Sequence, residues 1–145
     1  MLISHILRRK GADVVTVTAD TPVTEALAVL GEHNIGALVV TAEGRRIVGI
    51  LSERDVVRAL AQEGPSTLQR TVQELMTTEV TTCGQQATVD ELMTVMTEQR
   101  IRHIPVVDDD AALTGIVSIG DVVKTRIGEL ETETESLHDY ISGRS

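Results

Sequence analysis

The sequence predicts an α+β fold built from two copies of one β-α-β-β-α unit, related by a pseudo-two-fold axis. Three observations lead there. Residues 14–57 recur at 80–123 with a constant offset and no gap. Both copies close on one pattern, Gly49-Ile50-Leu51-Ser52-Glu53-Arg54-Asp55 and Gly115-Ile116-Val117-Ser118-Ile119-Gly120-Asp121. Each copy also runs through a β-branched stretch, a helical period and two more apolar stretches in the same order. The repeat is longer than the roughly 20–50 residues of a solenoid unit, and a solenoid needs about three or more units. A lone copy of about 60 residues buries only about 60% of its unfolded surface, so the two are expected to be inseparable.

The elements follow in order. Residues 2–10 read as a short helix stopped by Gly11. Residues 14–17 read as a strand. Thr21-Pro22 then opens a helix, with Thr as cap and Pro at the first helical position, and Ala26, Leu27, Val29 and Leu30 as its apolar face. Strands at 37–40 and 47–51 flank a turn at Glu43-Gly44, and a helix runs from Arg54 to about residue 61. Residues 62–66 carry turn chemistry, and a short helix spans about 68–76. In the second copy Thr88-Val89-Asp90-Glu91 is a capping box. Strands at 103–107 and 113–117 flank Asp108-Asp109-Asp110, and a long helix starts at Asp121. Ile127, Leu130, Leu137 and Ile141 form a helical stripe, read either as a pairing seam with a second chain or as a solvated tail packed on its own domain. The organisation is therefore residues 1–65 for the first copy with its N-terminal helix, 66–127 for the second, and 128–145 for an acidic helical tail.

Composition narrows the function. The net charge is −9, with the tail alone contributing −4, which argues against non-specific nucleic-acid binding. The single Cys83 excludes an internal disulfide and suits a reducing compartment. No apolar run approaches 18 residues and the N-terminus lacks a signal-peptide core, so the expected location is cytoplasmic, with no membrane partner. There is no Phe or Trp and only Tyr140. The core must be aliphatic, and a planar ligand must be held by aliphatic walls and backbone. His5, His33, His103 and His138 lack metal-ligand spacing. No phosphate-cradling glycine loop and no nucleophile–base pair is present. Neither catalysis, a metal nor a cofactor is expected.

On residues alone, Ser52-x-x-Asp55 and Ser118-x-x-Asp121 are capping patterns at helix starts. A carboxylate there is also an acceptor-only group suited to a vicinal diol. Together with Arg100-Ile101-Arg102-His103-Ile104-Pro105-Val106-Val107-Asp108, the duplicated motif resembles cystathionine β-synthase (CBS) domains over about residues 1–127. The chain looks like a stand-alone tandem pair. The resemblance implies a non-catalytic regulatory module that binds an adenine nucleotide, AMP or ATP, and acts through a homodimer on an unidentified regulated protein. Binding of NAD or S-adenosylmethionine, a structural pairing module with vestigial clefts, and a hidden nucleotide hydrolase are the alternatives.

The same resemblance distributes roles. It implies ribose binding by Ser52, Asp55, Ser118 and Asp121. The base falls to Val15, Ile35, Gly36 and Ala37 in the first copy, and to Thr81 and Ile101, with the backbone of Arg102 and His103, in the second. Phosphate falls to Arg54, Arg102 and His103. The basic groups are not duplicated, since Gly36-Ala37 stand opposite Arg102-His103 and Gly120 opposite Arg54. The two clefts are thus expected to bind unequally, with Asp121 mattering more than Asp55. Val39 where the second copy has Pro105 is a departure in the first copy, expected to alter the hydrogen bonding of an edge strand.

Overall fold

The computed structural model describes residues 1–11 and 13–141. The first copy forms a sheet ordered β1 (Thr16–Val17), β2 (Ala37–Ala42), β3 (Arg46–Ser52). The second forms β4 (Cys83–Gly84), β5 (His103–Val107), β6 (Leu113–Ser118). In each sheet the first two strands are parallel and the last two antiparallel. A parallel step needs a crossover, supplied by helices α2 (Val23–His33) and α5 (Val89–Gln99). The register slips between Val40 and Thr41 in one sheet and between Val106 and Val107 in the other, the same point of the repeat. The α+β class and the duplicated unit order are what the chain adopts.

Pro105 lies on a central strand rather than an edge strand, and the reason it is tolerated is local. β4 reaches only Val106 and Val107. At Pro105 the strand therefore has one neighbour, and the missing N–H interrupts no ladder on the other side. The first sheet, with Val39 at that position, pairs one residue earlier, Thr16 to Val39.

Helix starts differ in one respect from expectation. Thr21 does not cap α2. Pro22 takes the N-cap position with extended backbone, while Thr21 Oγ1 accepts from the Thr18 N–H at 3.2 Å and closes the preceding turn. Thr88 does cap α5, accepting from the Glu91 N–H at 3.2 Å, without the reciprocal half of the box. The expected turn at 62–66 is partly helical. Helix α3 (Glu53–Glu63) runs into a 3-10 segment, Gly64–Gln69. Buried Thr67 pins that segment by donating to the Ala59 carbonyl at 3.1 Å, and the helix expected over 68–76 shortens to α4 (Val72–Leu75).

The leading helices are exchanged between the copies. Helix α1 (Ile3–Lys10) precedes the first copy in sequence, yet Ile3, Ile6 and Leu7 are buried with Val89, Leu92 and Ile104 of the second. Helix α4 lies between the copies and buries Val72 with Leu30, Leu38 and Leu51 of the first. Backbone bonds repeat the exchange, from the Ile3 N–H to Ala87 O (2.9 Å) and from the Val72 N–H to Thr21 O (2.8 Å). Arg46 bridges to Ala112, its own counterpart in the repeat, so the pseudo-two-fold axis passes beside this bridge.

The core is aliphatic throughout, and Tyr140 is exposed. Helix α6 (Ile119–Ile141) runs unbroken from the second copy into the tail. Ile127, Leu130, Leu137 and Ile141 are all exposed on it, so the stripe is not packed on the chain's own domain. The last residues of the expected tail, 142–145, lie outside the described residues.

Candidate functional site

The duplicated motif is explained first by packing. Strands β3 and β6 carry Gly49 and Gly115 where the exchanged segments cross them. A Cβ at Gly49 would stand 2.5 Å from Met76 Sδ and 3.0 Å from Thr77 O, and one at Gly115 would stand 2.8 Å from Leu7 Cδ2. The strands then end at Ser52 and Ser118, which start α3 and α6. Asp55 Oδ2 accepts from the Ser52 N–H (2.9 Å) and hydroxyl (3.1 Å), while the Asp55 N–H donates back to Ser52 Oγ at 3.2 Å. Ser118 and Asp121 reproduce this at 2.8, 3.0 and 3.2 Å. Capping chemistry is therefore present in both copies, and it fixes both carboxylates at helix N-termini, where the backbone dipole favours negative charge.

What surrounds the two carboxylates differs. A cavity of about 310 Å³ opens where the copies meet, at the lower end of the roughly 300–1,000 Å³ of small-molecule sites. Ser52, Arg54, Asp55 and Gly36 line it from the first copy; Thr81, Ile101, Arg102 and His103 line it from the second. The sequence expectation put the clefts between the copies, with Arg102 and His103 completing the motif of Asp121 and open to phosphates from either side. In the structure Arg102 and His103 line the cavity of Asp55, while His103 also pairs with Ser118 across the second sheet. The exchanged segment accounts for this: Thr77, just after α4, pairs with Ile50 in both directions at 2.9 Å and leads the chain through Val80 and Thr81 past Asp55. Thr77 also donates its hydroxyl to Asp55 Oδ1 at 3.3 Å.

The remaining expected residues lie elsewhere. Val15 and Ile35 pack against the first core, and Ala37 is buried at the start of β2. None of the three lines this cavity, and neither do Ser118 and Asp121. Asp121 instead accepts from Lys10 Nζ at 2.7 Å. Burial alone would raise the Asp121 carboxyl, but the bonds from Lys10 and Ser118 outweigh it and hold the pKa below the usual carboxylate value.

The cavity is more basic than the protein around it. Arg54, Arg58, Arg100 and Arg102 line it against Glu53, Asp55 and Glu79, in a chain of net charge −9. Arg54 spans the cavity by donating to the Arg100 carbonyl at 3.2 Å. Burial lowers the His103 pKa despite nearby Glu53, which favours the neutral imidazole. Arg58 and Arg100 were not anticipated. Arg58 was legible as the residue four after Arg54, hence on the same helix face. Arg100 occupies the left-handed cap of α5, φ 55, where the first copy has Asn34, φ 53. Asn adopts that conformation readily and Arg does so less easily.

Other candidate chemistry resolves into structure. Asp108 Oδ1 accepts from the Asp110 and Ala112 N–H groups at 2.9 and 3.0 Å, closing its own turn. The Cys83 thiol is pushed up to about 11 by burial and by Glu91, so it is not a thiolate nucleophile at neutral pH. Among the described residues no group of His, Cys, Asp and Glu is placed to hold a metal, and no helix is long and apolar enough to cross a membrane.

Comparison with known proteins fits this geometry. The family model described as the CBS domain matches residues 3–62 and 72–128. A CBS domain-containing protein of Arabidopsis thaliana, described as mitochondrial, is 37% identical over 97% of this chain and 72% of its own length. Among solved structures, the CBS domain pair of protein MJ0100 in complex with 5′-methylthioadenosine and S-adenosyl-L-methionine superposes with a TM-score of 0.79 at 31% identity, covering 89% of this chain and 98% of that one. A CBS domain protein of Pyrobaculum aerophilum complexed with AMP superposes with a TM-score of 0.77 at 28% identity, covering 92% and 99%.

Proposed function

The chain belongs to the CBS-domain family, as a pair of those domains, and from that premise we propose that it is a non-catalytic regulatory module that binds an adenine nucleotide in the cavity between its copies. The observation that carries the reading is the position of Asp55, capped and aimed into a cavity that also gathers four arginines. Asp55 serves as the acceptor for the ribose hydroxyls, with the Ser52 hydroxyl beside it. Thr81 and Ile101 flank the base, replacing the aromatic stacking that this composition lacks. Arg54, Arg58, Arg100 and Arg102 take the phosphates, for which charge-assisted hydrogen bonds are the strong contacts. A phosphate next to His103 would favour its protonated form. Related structures hold AMP, 5′-methylthioadenosine and S-adenosyl-L-methionine, which supports the adenosine moiety. The arginines favour phosphate over an uncharged 5′ group.

The test is a thermal-shift and calorimetric comparison of AMP, ADP, ATP, NAD and S-adenosylmethionine. The nucleotides are expected to bind, adding about 2.7 kcal/mol of stability at a hundredfold excess over Kd. No response to any of them at millimolar concentration overturns the reading. The compartment is taken to be a reducing aqueous one, the cytosol or, as for the Arabidopsis relative, the mitochondrion.

The module reports through a homodimer in this reading. Val57 of α3 and Val123 of α6 occupy matched positions and are 64% and 47% exposed. Ile119, Ile127 and Leu130 are exposed on the same helix as Val123. Apolar residues repeated on two related helices suit burial against a second copy. A Val57→Asp/Val123→Asp chain is expected to halve the molar mass seen by light scattering. A wild type that is already monomeric at micromolar concentration removes the dimer.

A further inference from the structure

The second Ser-x-x-Asp site is built as well as the first, but where Asp55 Oδ1 accepts from the neutral Thr77 hydroxyl at 3.3 Å, Asp121 is paired with a cation from within the chain. In the first copy the Ile50 carbonyl accepts from the Thr77 N–H at 2.9 Å. In the second, the counterpart Ile116 carbonyl accepts from Lys10 Nζ at 2.9 Å, and the same ammonium donates to Asp121 Oδ2 at 2.7 Å. A side chain thus stands where the first copy has main chain. It neutralises the carboxylate that the repeat would otherwise offer to a diol. Lys10 ends α1, whose Ile3, Ile6 and Leu7 are anchored in the second core, so the ammonium is delivered by a fixed element. Both partners are partly shielded, with side-chain exposures of 31% and 23%. Main chain cannot leave the first site without breaking the Ile50–Thr77 bridge, whereas a lysine side chain can rotate away from the second.

We infer that Lys10 is a built-in occupant of the second site, holding Asp121 from ribose so that each chain takes up one adenine nucleotide, in the Asp55 cavity, unless Lys10 is displaced. This rests on the reading of Asp55 as a ribose acceptor. Lys10 is then the residue that makes two nearly identical motifs unequal.

Calorimetric titration of the full chain with ATP tests it, using wild type, Lys10→Met and Lys10→Met/Asp121→Ala. Met keeps the length of the stem and removes the charge. Wild type is expected to bind one nucleotide per chain, with any second site weaker by at least about tenfold, equivalent to ~1.4 kcal/mol. Lys10→Met is expected to bind two, and the double variant to return to one. Two sites of similar affinity in wild type, or one site in Lys10→Met, overturn the inference and leave the Asp55 cavity standing. A ligand-free readout separates the two readings further. The Asp121 carboxyl, followed by NMR, should titrate higher in Lys10→Met than in wild type. An unchanged titration overturns the contact itself, whereas absence of ATP binding alongside a shifted titration overturns the nucleotide reading and leaves Lys10 with a structural role.

Discussion

Asp55→Ala is expected to weaken adenine-nucleotide binding by roughly 100-fold, while Asp121→Ala leaves it nearly unchanged. A hydrogen bond to a charged group contributes about 1.5–3 kcal/mol, and a carboxylate facing a vicinal diol makes two. Allowing for partial compensation by water, the loss is about 2.7 kcal/mol, or two decades in Kd. The pair of variants controls for folding. Each carboxylate closes the same capping arrangement, with bonds to its serine that agree within 0.1 Å in every case. Each variant loses a similar contribution at its helix start, about 1 kcal/mol; Asp121→Ala also loses the Lys10 ion pair and Asp55→Ala the Thr77 bond, and only Asp55→Ala loses the ligand. Calorimetry reads the difference directly. The opposite ranking, with Asp121→Ala the weaker binder, would make Asp121 the principal ribose acceptor.

That opposite ranking is what the sequence alone favoured, and the reason is instructive. The repeat shows which residues are equivalent, and it located both Ser-x-x-Asp pairs, Arg54 and the Arg102-His103 pair. It does not say which halves meet. Arg102 and His103 stand in the same copy as Asp121, and that copy's motif is the more complete one, which ranks Asp121 first. The exchange of α1 and α4 brings Thr77–Thr81 against β3 and so turns the second copy's Ile101-His103 segment toward the first copy's carboxylate. Nothing in the apolar face of a short helix names its docking partner. Ile3, Ile6 and Leu7 predict that α1 is buried on one side, and fit either core. Gly49 and Gly115 held the missing clue, since a glycine at a matched position inside two strands marks close approach by another segment. Thr21 and Pro22 misled for a simpler reason: the turn at Thr18 claimed the threonine hydroxyl, so the helix starts one residue later, with no side-chain cap at Pro22.

Removal of residues 1–10 is expected to cost roughly 5–9 kcal/mol and to unfold the second copy, although those residues adjoin the first in sequence. Ile3, Ile6 and Leu7 are almost fully buried in the second core, and burying each such side chain contributes about 1.5–3 kcal/mol. The truncation also removes the Met1 carbonyl that accepts from the Val89 N–H at 2.9 Å, at the start of α5. Whole domains of this size are stable by only about 5–15 kcal/mol, so the loss rivals the total. Leu7→Ala in the full chain isolates the packing from the deletion, at about 2–5 kcal/mol and a fall in Tm of roughly 6–15 °C. Because Thr81 and Ile101–His103 belong to the copy that loses its core, both variants should lose nucleotide binding as they unfold, and Lys10→Met, which leaves the apolar face intact, should not. Denaturant unfolding followed by circular dichroism makes the comparison. A truncated chain that unfolds at the wild-type midpoint would mean that α1 is an appendage, and that the two copies are not closed by exchanging their leading helices.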